Sequence, residues 1–307
     1  MNEIRAVGMV IYTYTVLEEH LEALWGWLHH VEHWSNQSFA EFGFDSHAKE
    51  SHRVWKATAK NRVNLYQRLQ VEQPWSILNL AWPAGTLRSS PFRMKGMDVA
   101  VVSRPQPRRG SESYRVPSCL YVEVHPTVLV HSTTGVSGFL SLGIQAWQIV
   151  EGVYGFIDIE TGIPLADDIS RNAIHLFEST VPPEHHQEFR KWQDLMPHLD
   201  KRVWKAFWGN FLGAEHLRQL GGIQEMRRAD PRYRLLPEYL EKAYQQGVER
   251  LQACSCVSEW FDLANSGVLM TLSSSPLDWF APEVRMRQDR LQETLGELAL
   301  GPWDFRD

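Results

Sequence analysis

Two hydrophobic periods follow each other at the start of the chain. Within Arg5–Val16, apolar residues fall on both faces of an extended segment, which predicts a strand in the interior of a sheet. From Leu17 to Val31, leucine and valine recur every three or four residues, which predicts an amphipathic helix. The pattern therefore predicts a helix that packs against the first strand.

The same two periods recur along the rest of the chain without a regular alternation of strand and helix. Further helices are predicted at Glu50–Gln70, Val136–Val150, Pro183–Met196, Leu236–Ala253 and Pro282–Ala299. Further strands are predicted at Pro74–Pro83, Met97–Val102, Leu120–His125, Val153–Ile159, Arg202–Trp208 and Gly267–Leu272. This order is typical of an α+β fold, in which a mixed, mainly antiparallel sheet packs against several amphipathic helices.

We expect one domain over residues 1–307, or two intimately packed halves, with a solvated loop near residues 103–118. The composition, 43% apolar and 22% charged, is that of an ordinary globular protein. No segment has the form of a signal peptide or of a membrane span, so we expect a cytoplasmic protein.

The charge of the chain narrows the choice of partner. The formal net charge is −6, and no basic block is longer than Arg108-Arg109. Direct binding to nucleic acid or to anionic lipid is therefore not expected, whereas a basic partner is favoured by electrostatics.

Three cysteines, Cys119, Cys254 and Cys256, leave an odd number for pairing, and the last two are close together in sequence. We expect free thiols in a reducing compartment. No second cysteine pair follows the Cys-x-Cys spacing, so it does not predict a metal site.

One motif has the order of a catalytic site. The sequence HHVEH places His29, Glu32 and His33 in the His-x-x-Glu-His order of inverted zinc peptidases, in which the histidines bind zinc and the glutamate acts on a bound water. On a helical projection, however, both histidines lie away from the leucine stripe and toward solvent. An exposed helix face is the competing interpretation, and it is the one we favour.

Other catalytic signatures do not occur in the sequence. There is no Gly-x-Ser-x-Gly nucleophile motif, no phosphate loop and no dinucleotide-binding fingerprint. We therefore expect no enzymatic activity and no cofactor.

A group of carboxylates follows the strand near residue 155. Asp158, Glu160, Asp167 and Asp168 have no basic residue between them. They are our candidate for contact with a basic partner, and the alternative is a solvated strand end and turn.

The segment Val203–Gly222, VWKAFWGNFLGAEHLRQLGG, predicts a strand–turn–helix corner. Gly209 and Asn210 would break the strand, Gly213 would precede a short helix, and Gly221 would stop that helix in a left-handed conformation. Trp208 and Leu217 would pack inward. Together with Gly222, these residues form a motif that we interpret as structural.

The pattern Trp208–Gly222, followed by GVLMTLSSSPLDWF (Gly267–Phe280) and a closing helix, resembles immunity proteins of type VI secretion and polymorphic-toxin systems. The resemblance covers the C-terminal third of the chain. It implies a cytosolic, non-catalytic protein that binds and neutralises a cognate effector, frequently a nuclease.

Three hypotheses follow from these observations. The first is direct inhibition of a basic, DNA-cleaving toxin. The second is a zinc hydrolase that uses His29, Glu32 and His33, and the third is an adaptor or chaperone for an effector of the same secretion system. The sequence does not identify the toxin, its interface or the oligomeric state.

Overall fold

The computed structural model describes residues 4–46, 49–71, 75–83, 96–103, 116–161, 195–224, 226 and 236–298. Ten strands are present in this part of the chain: β1 Ile4–Thr13, β2 Glu41–Ser46, β3 Lys49–Lys56, β4 Trp75–Trp82, β5 Met97–Val102, β6 Ser118–Val124, β7 Tyr154–Thr161, β8 Gly209–Leu212, β9 Glu259–Asp262 and β10 Val268–Thr271. Seven α-helices accompany them: α1 Leu21–Ser35, α2 Ala59–Val71, α3 Pro126–His131, α4 Gly135–Val150, α5 Ala214–Leu220, α6 Pro237–Ala253 and α7 Pro282–Leu295.

All ten strands belong to one sheet. Its order is β3-β2-β4-β5-β6-β1-β7-β8-β10-β9, and every pair of neighbours is antiparallel. The strand β1 lies between β6 and β7, and all of its residues from Ala6 to Thr13 are buried. The expected α+β fold with an antiparallel sheet is confirmed.

Helices α1 to α4 lie on one face of the sheet. In α4, Gly143 lies so close to the sheet that a Cβ atom there would be 2.5 Å from the sulfur of Met9. Trp27 of α1 donates a hydrogen bond to the carbonyl of Leu142 at 3.0 Å, which joins α1 to α4. The guanidinium of Arg68 in α2 lies 5.1 Å from the ring centre of Phe44 on the same face. The position of β1 inside the sheet, with buried residues on both of its faces, confirms the prediction of an interior strand.

The opposite face is covered, at β7 and β8, by the segment before β8 and by α5. Phe156 of β7 stacks on Phe207 with ring centres 4.0 Å apart. Tyr154 contacts the ring of His216 in α5, with the ring centres 5.8 Å apart. Aromatic side chains fill this layer because they remove a large apolar area from water.

Helix α7 packs beside that segment. The side chain of Gln292 accepts a hydrogen bond from the backbone N–H of Ala206 at 2.8 Å, and Gln288 donates one to the carbonyl of Ala206 at 2.8 Å. These two bonds satisfy backbone groups that no strand satisfies, since residues 204–207 are not in a strand.

Two predictions of secondary structure were wrong. The predicted helix Glu50–Gln70 is strand β3 up to Lys56, and α2 begins only at Ala59. The segment Arg202–Trp208, which was predicted to be a strand, is irregular. The strand in this region is β8, and it begins with Gly209 and Asn210, the two residues that were expected to end the predicted strand. Asn210 fits a strand because its buried side chain bonds both backbone groups of Phe207, at 2.9 and 2.8 Å.

The prediction of free thiols was wrong for Cys254 and Cys256 and is confirmed for Cys119. Cys254 and Cys256 are joined in a disulfide, with Cα atoms 5.3 Å apart, and Cys119 is free and buried in β6. The intervening Ser255 adopts a left-handed conformation, with φ of 51°, which turns the chain sharply enough for the two sulfur atoms to meet.

Two expectations fall largely on residues outside the described part of the chain. These are the loop near residues 103–118, of which Ser118 already belongs to β6, and the helix predicted from Pro183 to Met196. No helix among the described residues combines the length and the apolar character that crossing a bilayer requires. The division of the chain into one domain or two halves stays a prediction.

Candidate functional site

The histidine–glutamate motif lies on α1, where the structure separates its members. The side chain of His29 is 56% exposed, and His33 is exposed as well. Glu32 lies on another side of the helix, with only 12% of its side chain exposed. The helical projection of the sequence is therefore confirmed for the two histidines.

Glu32 connects three elements. Its two oxygens accept hydrogen bonds from the Arg62 guanidinium of α2 at 2.7 and 2.9 Å, and one of them also accepts the backbone N–H of Phe39 at 2.7 Å. Arg62 further donates to the carbonyl of Phe39 at 2.9 Å. A bidentate carboxylate–guanidinium pair of this kind is strong and directional. The glutamate therefore holds α1, α2 and the chain that leads into β2 together.

No group of three or more histidine, cysteine, aspartate or glutamate side chains with the geometry of a metal site occurs among the described residues. The Nδ1 atom of His29 lies 3.3 Å from a carboxylate oxygen of Glu32. That carboxylate is engaged by Arg62, so its oxygens are not free to activate a metal-bound water.

The carboxylate group proposed for partner binding is divided by the structure. Asp158 is only 1% exposed, and its Oδ1 accepts the backbone N–H of Ile159 at 2.8 Å. The expected solvated surface position of Asp158 was therefore wrong: alternation along β7 turns this side chain into the covered face of the sheet. Glu160 lies in β7 with its backbone opposite Ala6, and Asp167 and Asp168 lie outside the described residues.

Asp158 belongs to a row of residues that crosses the sheet from β2 to β7. Residues that are directly opposite in successive strand pairs form this row: Glu41, Ala81, Asp98, Glu123, Gly8 and Asp158. Opposed residues of an antiparallel pair point to the same face. Because Met9 faces α4, its neighbour Gly8 and the whole row face away from helices α1 to α4. We call this set the carboxylate row.

Three of the four acids of the carboxylate row, Glu41, Glu123 and Asp158, are buried, which is unusual for charged side chains, and Asp98 is half-buried. Glu41 and Glu123 are 6% and 8% exposed. In Asp98 the Oδ1 atom is buried and accepts no hydrogen bond. Burial raises the pKa of Asp98 to about 7, the negative charge of Glu41 adds to this shift, and a hydrogen bond from the Val99 N–H opposes it.

Asp98 was missed at the sequence level, as were Glu41 and Glu123. A signal does exist, since Asp98 is the one charged residue in MDVAVV and Glu123 is the one in LYVEV. A charged residue inside an apolar strand predicts a buried, special carboxylate. The alignment of these residues into one row depends on strand order, which a single sequence does not reveal.

The predicted corner forms a packed unit. Trp208 is fully buried, and its indole N–H donates to the hydroxyl of Ser273 at 2.8 Å. Gly213 precedes α5, and Leu217 of that helix is fully buried. The interpretation of Trp208, Gly213 and Leu217 as structural residues agrees with these contacts.

The two glycines at the end of α5 have different roles from those expected. Gly221 has φ of −81°, so it is not the left-handed stop, whereas Gly222 has φ of +79° and adopts that conformation. A Cβ atom on Gly221 would lie 1.8 Å from the carbonyl oxygen of Ala243 in α6. Gly221 is therefore needed for the close approach of α5 and α6.

His216 of α5 is a further residue that the sequence did not single out. It is fully buried, and its Nδ1 accepts the backbone N–H of Gly213 at 3.2 Å while its Nε2 donates to the carbonyl of Arg202 at 3.1 Å. Burial lowers its pKa to about 4, although its backbone hydrogen bonds and the charge of Asp200 oppose that shift. Because both nitrogens bond to backbone, His216 holds the corner as a neutral ring.

Comparison with known proteins adds little to this geometry. No family model matches the chain, and no curated protein matches it. Among solved structures, the chain is similar to the Pseudomonas aeruginosa T6SS protein PA0821, with 13% sequence identity and a TM-score of 0.49 over 100% of this chain and 78% of that chain. A likeness of this size carries no information on function.

Proposed function

We propose that this protein is a non-catalytic immunity protein, which binds a secreted antibacterial toxin directly and neutralises it. The toxin that fits best is a basic, DNA-cleaving effector, since a nuclease carries positive charge to hold phosphate and this chain has a net charge of −6. The resemblance of the Trp208–Gly222 corner to immunity proteins gives the proposal its biological class.

The observation that carries the non-catalytic part of the proposal is the bonding of Glu32. In the zinc-hydrolase alternative this residue would be the general base. Here both of its oxygens are held by Arg62, and one is also held by the backbone of Phe39. A carboxylate that stabilises three elements of the fold is a poor candidate for a catalytic base, because proton transfer would disrupt those bonds.

The test is inhibition of a candidate toxin, for which we take the product of the adjacent reading frame. Purified full-length chain is added to the purified toxin in increasing molar ratio, and cleavage of plasmid DNA is measured. We expect cleavage to stop when the two proteins are equimolar, with one stable complex in size-exclusion chromatography. Full cleavage in excess chain would contradict the proposal.

Two further measurements separate the alternatives. The zinc hydrolase requires about one zinc per chain that is lost on His33→Ala, which elemental analysis detects. An adaptor or chaperone would bind the effector and leave its nuclease activity intact, so complex formation without inhibition favours that role.

A further inference from the structure

A cavity of about 660 Å³ opens between the turn before β8, the end of α5 and the end of α7. It has a mixed lining, with leucines at the floor and cations and amides at the rim. The described lining residues are Lys201, Arg202, Gln219, Leu220, Gly222, Gln224, Arg250, Leu295, Gly296 and Leu298. We call this the cationic pocket.

The charge of the cationic pocket is opposite to that of the chain. Three of its described lining residues are cations and none is acidic, in a protein with a net charge of −6. Cations that line one concave surface concentrate positive potential there. The pocket is therefore suited to an anion.

Two of the cations have bonding capacity left for a ligand. Arg250 uses one guanidinium nitrogen to donate to the carbonyl of Leu220 at 3.2 Å, and the described residues show no second bond of this side chain. That bond also balances the negative end of α5 and fixes the guanidinium at the rim. The ammonium of Lys201, which is exposed, makes no bond with the described part of the chain.

The apolar floor and the volume of the cationic pocket indicate that its ligand has an organic body in addition to an anionic group. Leu220, Leu295 and Leu298 are 5%, 1% and 8% exposed, so they form an apolar surface under the cations. A volume near 660 Å³ lies within the range of sites for small organic molecules, which is about 300–1,000 Å³. An inorganic ion would leave most of this space and all of the apolar floor unused.

We propose that the cationic pocket binds a small organic phosphate, in which a phosphate group bonds Lys201 and Arg250 and an apolar or aromatic body lies on the leucine floor. This assignment does not depend on the proposed function. The glutamines of the rim, Gln219 and Gln224, are linked by a hydrogen bond of 3.1 Å and offer polar groups to the body of the ligand.

The test uses ATP, adenosine and inorganic phosphate as probes of the full chain in isothermal titration calorimetry. ATP carries both parts of the proposed ligand, adenosine carries only the body, and phosphate carries only the charge. We expect ATP to bind more tightly than either part, and its affinity to fall as salt rises because the contacts are charged.

The decisive variant is Lys201→Ala, because this side chain makes no described bond that folding would lose. We expect it to raise the Kd of ATP by about tenfold or more, the usual effect of removing one charge-assisted hydrogen bond. The matched control is Lys60→Ala, an exposed lysine on α2, which should leave the Kd unchanged.

Three outcomes would overturn the assignment. The first is no binding of ATP at millimolar concentration, the second is an equal Kd of ATP for Lys201→Ala and the parent chain, and the third is binding of phosphate as tight as that of ATP. The last result would mean that the leucine floor contributes nothing to binding. None of these outcomes bears on toxin neutralisation, which is measured separately.

Discussion

At the scale of single residues, two titratable groups with shifted pKa values, Asp98 and His216, make stability depend on pH in opposite directions. The pKa of Asp98 is raised from its usual value of 3.8 to about 7 in the folded chain. Between these two pH values, the folded chain keeps a proton on Asp98 that the unfolded chain has released. His216 has a pKa lowered to about 4 from 6.5, so there the unfolded chain binds the extra proton. Between pH 4 and 6.5 the two contributions offset each other in the parent protein.

The variant Asp98→Asn isolates the first contribution. Stability that depends on protonated Asp98 is complete below pH 3.8 and is lost as the pH rises through about 7. An asparagine needs no proton, so the variant should gain stability over the parent as the pH rises from 4 to 8, by at most about 4 kcal/mol. Urea denaturation at both pH values measures this gain, and exposed Asp289→Asn is the control that should show none. A difference that is the same at pH 4 and pH 8 would mean that Asp98 does not titrate as described.

The variant His216→Gln isolates the second contribution. A proton added at Nδ1 would face the N–H of Gly213, which that nitrogen now accepts, so the charged ring does not fit its site. The parent should therefore lose stability as the pH falls from 6.5 to 4, by up to about 3 kcal/mol relative to a chain without this imidazole. Thermal denaturation at pH 7 and pH 4.5 compares the parent, His216→Gln and the exposed control His131→Gln. Equal pH dependence in all three proteins would disprove the role of His216.

At the scale of elements, the packing of α5 against α6 depends on the absence of two side chains. A Cβ atom on Gly221 would lie 1.8 Å from the Ala243 carbonyl oxygen, and one on Gly247 would lie 1.9 Å from the Leu217 carbonyl oxygen. Backbone atoms cannot move aside as a flexible side chain can, so the helices themselves would have to separate.

The variant Gly221→Ala tests the close packing of α5 against α6. It introduces no backbone strain, because φ at this residue is −81°. We expect a loss of about 1–3 kcal/mol in the free energy of unfolding, the usual cost of overpacking, or somewhat more. The control is Gly26→Ala in α1, where a Cβ atom would have nothing within 4 Å. There we expect a gain of about 0.5–1 kcal/mol, since alanine favours the helix. If Gly221→Ala were as stable as Gly26→Ala, the helices would not be held in close contact.

Elements with a strong hydrophobic period were predictable from sequence, and elements defined by pairing were not. The helices α4 and α6 have clear apolar stripes, and both were predicted within two residues of their bounds. The hairpin of β2 and β3 has weak alternation, in EFGFDS and KESHRVWK, and a helix was predicted over much of β3. Strand β8 was displaced by seven residues at its start because Gly209 and Asn210 have low strand propensity, which tertiary contacts override here.

The candidate sites were harder to predict from the sequence than the elements, because they depend on how distant segments meet. The exposure of His29 and His33 followed from helical geometry alone. The burial of Asp158 did not, because it depends on which face of β7 is covered, and both faces of this strand are apolar enough to be buried. The cationic pocket combines residues from the turn before β8, α5, α6 and α7, and no local pattern brings those segments together.

At the scale of the whole molecule, the proposed function requires a surface that attracts a basic toxin. Asp158 cannot contribute, since it is buried. Glu160, Asp167 and Asp168 remain the candidate contact residues, and their effect has to be separated from that of the net charge of −6. Long-range attraction depends on the total charge as well as on the location of each charge.

Two triple variants with the same net charge make that separation. The first is Glu160→Gln, Asp167→Asn and Asp168→Asn, and the second is the control Glu22→Gln, Glu283→Gln and Asp289→Asn, in which three exposed carboxylates of α1 and α7 are neutralised. Each lowers the magnitude of the charge from six to three, because each removes three of the negative charges.

If the first group contacts the toxin, its variant should associate with the toxin about tenfold more slowly than the control variant at low salt. Its association rate should also depend less on salt, since local charges steer the encounter most strongly. Stopped-flow association with the cognate toxin at low and high salt measures both effects. Equal slowing in the two variants would assign the steering to net charge and would remove Glu160, Asp167 and Asp168 from the interface, while inhibition of the toxin by the parent chain would still support the immunity function.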